Sequence, residues 1–169
     1  HGEERRVSAP HCAVLTGATG GIGRAMALRL APLCEALVLV GRDAAALDAL
    51  VRDIGLAGGR ALAVPADLTP ASGRDAVLRA AAGTHGGVDL LGNNAGAGDF
   101  AWLADQDDAA LERIVRVHVL APMQLTRRLL PLLLARPAAR IINVGSIFGY
   151  LGYPGHAAYC ASKFALRGF

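Results

Sequence analysis

The sequence has almost no lysine: Lys163 is the single one among 17 basic side chains, and every other is arginine. Those arginines never run longer than the pairs Arg5–Arg6 and Arg127–Arg128 and have no aromatic residues between them. A net charge of +3 spread this thinly argues against nucleic acid as a partner and describes a solvated surface. Three cysteines, Cys12, Cys34 and Cys160, show no CxxC or Cys/His ligand spacing, which excludes a disulfide framework and gives no reason to expect a bound metal. Long apolar runs are missing too. The longest, "LLPLLLA" at 129–135, is too short for a bilayer and holds Pro131, while the first eleven residues are charged, so the sequence predicts a protein without membrane contact, in the reducing cytoplasm. Aromatic residues make up only 5% of the chain, so Ala, Leu and Val must build the core.

With 169 residues the chain is read as one domain spanning 1–169. Strands are expected at 12–18, 35–42 and 139–146, within 58–70 with a Pro-containing exit, and in the first part of 88–98, where the strand runs into a polar, glycine-rich loop. Between them fall a helix after the glycines that follow Thr16, helices at 43–54 and 72–83, and a long helix from 107 to 135 with Pro122 and Pro131 as kinks or boundaries. A last helix runs from 157 to 169. Asp43 is an N-cap candidate for the second helix. Strands alternating with helices, and apolar on both faces, demand a doubly wound parallel α/β sheet.

"TGATGGIG" at 16–23 lies between the first strand and the first helix, where open α/β sheets bind dinucleotides. Gly17, Gly21 and Gly23 permit close backbone approach, and the helix start offers free N–H groups to a pyrophosphate. A tight turn alone also recruits glycine. Tyr159 and Lys163, four apart in a helix, share one face, and an ammonium held beside a phenol favours its phenolate. Tyr-x3-Lys also arises by chance in amphipathic helices.

The Thr-Gly-x3-Gly-x-Gly spacing resembles the short-chain dehydrogenase/reductase family, and "NNAG" at 93–96, Ser146 and "YCASK" at 159–163 follow in the family's order. The resemblance implies a Rossmann-like sheet of strand order 3-2-1-4-5. It also implies a reaction that interconverts a ketone or aldehyde and an alcohol by hydride transfer. In it Tyr159 is the acid/base, Lys163 the electrostatic partner and ribose contact, and Ser146 the group that polarises the carbonyl. Cofactor contacts are implied at Gly17, Thr19, Gly21, Ile22, Gly23, Asp67, Leu68, Asn94, Ala95, Gly96, Tyr159 and Lys163. At the end of the second strand, where an NAD site carries an acidic residue, this sequence has Gly41 and then Arg42, which favours NADP(H) over NAD(H). Arg42 is otherwise a surface arginine beside Asp43.

Two departures stand out. His118 occupies the place where the family carries Asn in its long helix; it is either a relay residue, titrating near neutral pH, or a packed helix histidine. The family's chains also continue past the Tyr-bearing helix with strands and a substrate loop absent from these 169 residues, so the sequence is expected to be part of a longer chain. A second reading follows: a catalytically weak dinucleotide-binding protein of regulatory or structural role. The resemblance also implies a homodimer or homotetramer paired through the long and terminal helices.

Overall fold

The computed structural model describes residues 10–84, 87–98 and 100–169. Arg5–Arg6 and His85 lie outside the described residues. Five parallel strands, β1 (Cys12–Thr16), β2 (Ala36–Gly41), β3 (Ala61–Pro65), β4 (Leu90–Asn93) and β5 (Arg140–Asn143), form one sheet in the order β3-β2-β1-β4-β5. β1 is central, with Val14 in register with Val38 of β2 and Leu91 of β4.

Its five residues are all buried, yet successive side chains still point to opposite faces. Cys12 and Val14 join a cluster with Val38, Val40, Val77, Leu125 and Leu129. Ala13 and Leu15 join the other with Leu37, Leu39, Leu47 and Ile54. The helices follow that division. α1 (Gly21–Leu30) and α2 (Ala44–Leu56) cover the second face, and α3 (Ala71–Ala82) and α5 (Ala121–Leu134) the first. Each fully buried leucine, Leu15 and Leu39 among them, stabilises the fold by roughly 2 kcal/mol relative to exposure.

Asp43 caps α2, its carboxylate accepting the Ala46 N–H at 3.0 Å, and Asp107 caps α4 (Asp108–Val115) in the same way through Ala110 at 2.7 Å. The third strand ends at Pro65 and the fourth at Asn93, before the polar, glycine-rich loop expected there. Gly58, at φ 82°, and Gly59 form the turn that enters β3, and the polar residues from Asn94 onward leave the sheet as a loop.

The long helix expected over 107–135, with Pro122 as a kink or boundary, is α4 and α5 joined without a break, and α5 starts one residue before that proline. Between α4 and α5 the backbone widens into a π-helical turn at Arg116–Leu120, closed by the Ala121 N–H on the Arg116 carbonyl. Pro131 does not end α5, which continues to Leu134. The last helix, α6 (Ala157–Gly168), packs against α4, the π turn and a short 3-10 turn at Ile147–Gly149. Among the described residues no helix is long and apolar enough to cross a membrane.

Candidate active site

Strand ends, helix starts and the π turn converge on a cleft of about 730 Å³ at the carboxyl edge of the sheet. Gly17, Thr19, Gly21, Ile22, Gly23, Arg42, Asp67, Leu68, Asn94, Ala95, Gly96, His118, Tyr159 and Lys163 all line it. Ser146 stands one residue past the lining Gly145 and is not itself part of the wall.

The glycine turn is tight for reasons internal to the fold. Gly17 is left-handed at φ 64°, and a Cβ on Gly23 would lie 2.0 Å from the Gly17 carbonyl oxygen. At Gly21, by contrast, a Cβ would meet nothing within 4 Å, so the protein itself leaves that position open toward the cleft. Gly20 stands at the cap position of α1 and supplies no side-chain cap, which leaves the helix's first N–H groups for an anion.

Thr16, the first residue of the Thr-Gly-x3-Gly-x-Gly stretch, fastens the turn to its neighbour. Its hydroxyl donates to the Gly92 carbonyl at 3.1 Å and accepts the N–H groups of Asn94 and Ala95 at 2.9 and 3.0 Å. The Asn94 side-chain amide bonds back to the carbonyls of Thr16 and Gly17. Its amide hydrogens therefore serve the scaffold while the residue still borders the cleft.

At the end of β2, Gly41 faces Thr19: a Cβ there would lie 3.3 Å from the Thr19 hydroxyl. Arg42 beside it is exposed, and the Asp43 carboxylate is turned to the start of α2. On the other flank the Asp67 carboxylate accepts both the N–H and the hydroxyl of Thr69 at 2.8 Å. The buried Arg74 guanidinium holds the carbonyls of Leu68 and Thr69 from behind. Burial pushes its pKa down. Nothing in the sequence reading pointed to Arg74.

Tyr159 and Lys163 lie on the first two turns of α6. The buried ammonium donates to the Val144 carbonyl at 3.0 Å and stands 5.6 Å from the centre of the Tyr159 ring. Desolvation lowers the Lys163 pKa from its ordinary value. Ser146 accepts the Phe148 N–H at 3.2 Å, which leaves its own O–H free to donate.

His118 is only 1% exposed, and both of its ring nitrogens are engaged. Nε2 accepts the Ala97 N–H at 2.8 Å, so the proton sits on Nδ1, 2.8 Å from the Ser162 hydroxyl. That hydroxyl donates in turn to the Tyr159 carbonyl at 2.7 Å. Burial, and then the nearby Lys163 ammonium, depress the His118 pKa to about 4. The expectation of a histidine titrating near neutrality is corrected: the site is too dry and too close to a cation. Ser162 went unnoticed in the sequence, where its position beside Lys163 on a buried helix face was the available signal.

Among the described residues no cluster of His, Cys, Asp or Glu is placed to hold a metal ion. The chemistry on offer is a phenol beside an ammonium, next to a cleft with backbone donors for phosphates.

Comparison with known proteins bears on the family and the fold. Residues 11–169 match the family model described as short chain dehydrogenase. A curated relative, ketoacyl reductase HetN of Nostoc sp., is 35% identical over 153 residues, which cover 90% of this chain and 53% of the relative. A metagenomic short-chain oxidoreductase solved in complex with NADP superposes with a TM-score of 0.88 at 37% identity, covering 94% of this chain and 72% of that one. A 7α-hydroxysteroid dehydrogenase complexed with NADH and 7-oxo glycochenodeoxycholic acid superposes with the same score at 28% identity, over 93% of this chain and 61% of that one. The chain spans about half the length of the HetN relative.

Proposed function

The chain belongs to the short-chain dehydrogenase family, and from that footing we propose that it acts in an NADP(H)-dependent interconversion of a ketone or aldehyde with an alcohol. The observation that carries this reading is the meeting of Tyr159 and Lys163 with a complete glycine turn on one cleft.

The residues suit a dinucleotide. The open position at Gly21 and the uncapped start of α1 would receive the pyrophosphate, and the braced loop at Asp67 and Leu68 the adenine. NADP is favoured over NAD because Gly41 offers no carboxylate, whereas Thr19 and Arg42, which line the cleft there, would supply a hydroxyl and a guanidinium to a 2′-phosphate. A nicotinamide held in this cleft would supply or accept the hydride. The protein's part is the proton: the Tyr159 hydroxyl gives it to the developing alkoxide in reduction and takes it back in oxidation. Lys163, buried and fixed on Val144, stabilises the phenolate that remains. Ser146 donates its free O–H to the same substrate oxygen. Exposed Val115, Leu120 and Met123 around the π turn support assembly into a homo-oligomer through these helices.

Two measurements on the full chain test the reading. NADPH titration should saturate, and Tyr159→Phe should lower carbonyl reduction by about a hundredfold or more while NADPH binding persists. Saturable binding with no Tyr159-dependent turnover across aldehydes and ketones would favour a regulatory nucleotide-binding protein instead.

A further inference from the structure

All eight Phe, Trp and Tyr residues of the chain stand at position 100 or later. Neither apolar cluster that packs the sheet contains one. The core is thus aliphatic, and five of the eight rings gather in a single place.

Trp102 meets Phe100 edge-on at 6.3 Å, and Phe100 meets His156 at 5.2 Å. His156 lies 5.0 Å from Phe148 and 5.7 Å from Tyr153, which stack on each other at 5.1 Å. Phe148 and His156 both present to the Tyr159 ring, at 6.2 and 6.1 Å. The row begins at the surface and ends on the phenol that would move the proton.

Two loops are tied together to build it. The Ala101 N–H after β4 donates to the Gly155 carbonyl before α6 at 3.0 Å. Gly155 sits at φ 76°, and a Cβ there would lie 2.4 Å from the Phe100 ring. The ring therefore lies on bare backbone, and any side chain at 155 would lift it. Phe148 is fixed from the other side by its N–H on Ser146. Phe100, Trp102 and Tyr153 nevertheless leave 61%, 57% and 52% of their surface in water. A contiguous aromatic surface beside a reacting group is a binding surface, and ring edges and faces attract a second ring beyond what area alone provides.

We propose, resting on the reductase reading above, that this row is the specificity wall for the substrate. The substrate is then a ketone or aldehyde whose carbonyl is carried on an aromatic or fused-ring apolar body rather than on a linear chain.

The test compares two ketones of equal carbon number, 1-tetralone and 2-decanone, with NADPH and the full chain. The expected kcat/KM ratio favours 1-tetralone by about tenfold or more, expressed mainly in KM, and Phe100→Ala or Tyr153→Ala brings it to within about threefold of one. Both ketones are read on the same sample, so loss of folded protein leaves the ratio untouched. Turnover of both with no ring preference, or a preference unchanged in both variants, overturns the proposal while the reductase reading stands. An unchanged ratio with an altered sedimentation coefficient identifies the rings as a contact between chains and equally overturns it. Reduction of neither ketone or of any wider panel removes both readings together.

Discussion

Replacing His118 by Asn tests the site at its most unusual residue. In the folded protein the imidazole is neutral and fully bonded, with a pKa near 4 against 6.5 for the free side chain. A base whose folded pKa is depressed gives stability that is complete above the unfolded value and is lost as pH falls from about 6.5 toward 4. Between pH 7 and pH 5 that loss amounts to roughly 2 kcal/mol from this group alone. Asn keeps one donor and one acceptor but does not titrate in this range. Urea denaturation followed by circular dichroism should therefore show wild-type stability falling by about 2 kcal/mol more than that of His118→Asn over the same pH interval. All other groups are common to both proteins and cancel in the difference. Equal losses in the two proteins would refute the buried, neutral account. The same account predicts that His118 leaves no inflection of its own in the activity profile between pH 6 and 8.

Three substitutions address the cofactor cleft. Gly23→Ala places a methyl 2.0 Å from the Gly17 carbonyl oxygen, so the turn must open, and the NADPH dissociation constant measured by fluorescence titration should rise at least about tenfold. Arg42→Ala should weaken NADPH by roughly ten- to a hundredfold while NADH changes less than about threefold, because only the former carries the 2′-phosphate; isothermal titration calorimetry with both cofactors reads the difference. Gly73→Ala puts a Cβ 1.7 Å from the Asp67 carbonyl oxygen and should cost about 1–3 kcal/mol in urea denaturation, since backbone rather than a flexible side chain must yield.

The sheet was legible because its signals are local. A short apolar run that ends in Thr16–Gly17 and a glycine turn points to a strand entering a nucleotide turn, and Asp43 announces α2 by the chemistry of a cap. The cleft-lining residues were legible for the same reason, being attached to strand ends at fixed offsets. What the sequence did not disclose depends on contacts between distant segments. Thr16 joins β1 to the loop after β4, 78 residues away, and Arg74 braces a loop from behind. The aromatic row needs Gly155 and Phe100 to meet, and nothing in either stretch alone foretells it.

The π turn has a cause that connects these levels. Pro122 has no N–H to give the carbonyl four residues earlier, which is that of His118, and its ring crowds the same oxygen. An uninterrupted α-helix through this point would be strained, so the chain widens by one residue and the Ala121 N–H reaches Arg116 instead. Widening re-aims the side chains of the turn, and His118 points inward, between Gly96 and Tyr159. There a Cβ on Gly96 would lie 2.9 Å from Nε2, so the glycine of the loop after β4 and the histidine of the turn require each other. An imidazole spans the gap from Ala97 to Ser162, and thereby ties the loop that floors the cleft to the helix that carries Tyr159 and Lys163. The family's usual Asn can thus give way to histidine here because Ser162 supplies an acceptor for the second nitrogen; without that hydroxyl, Nδ1–H would be buried with no partner, at a cost of about 1–3 kcal/mol.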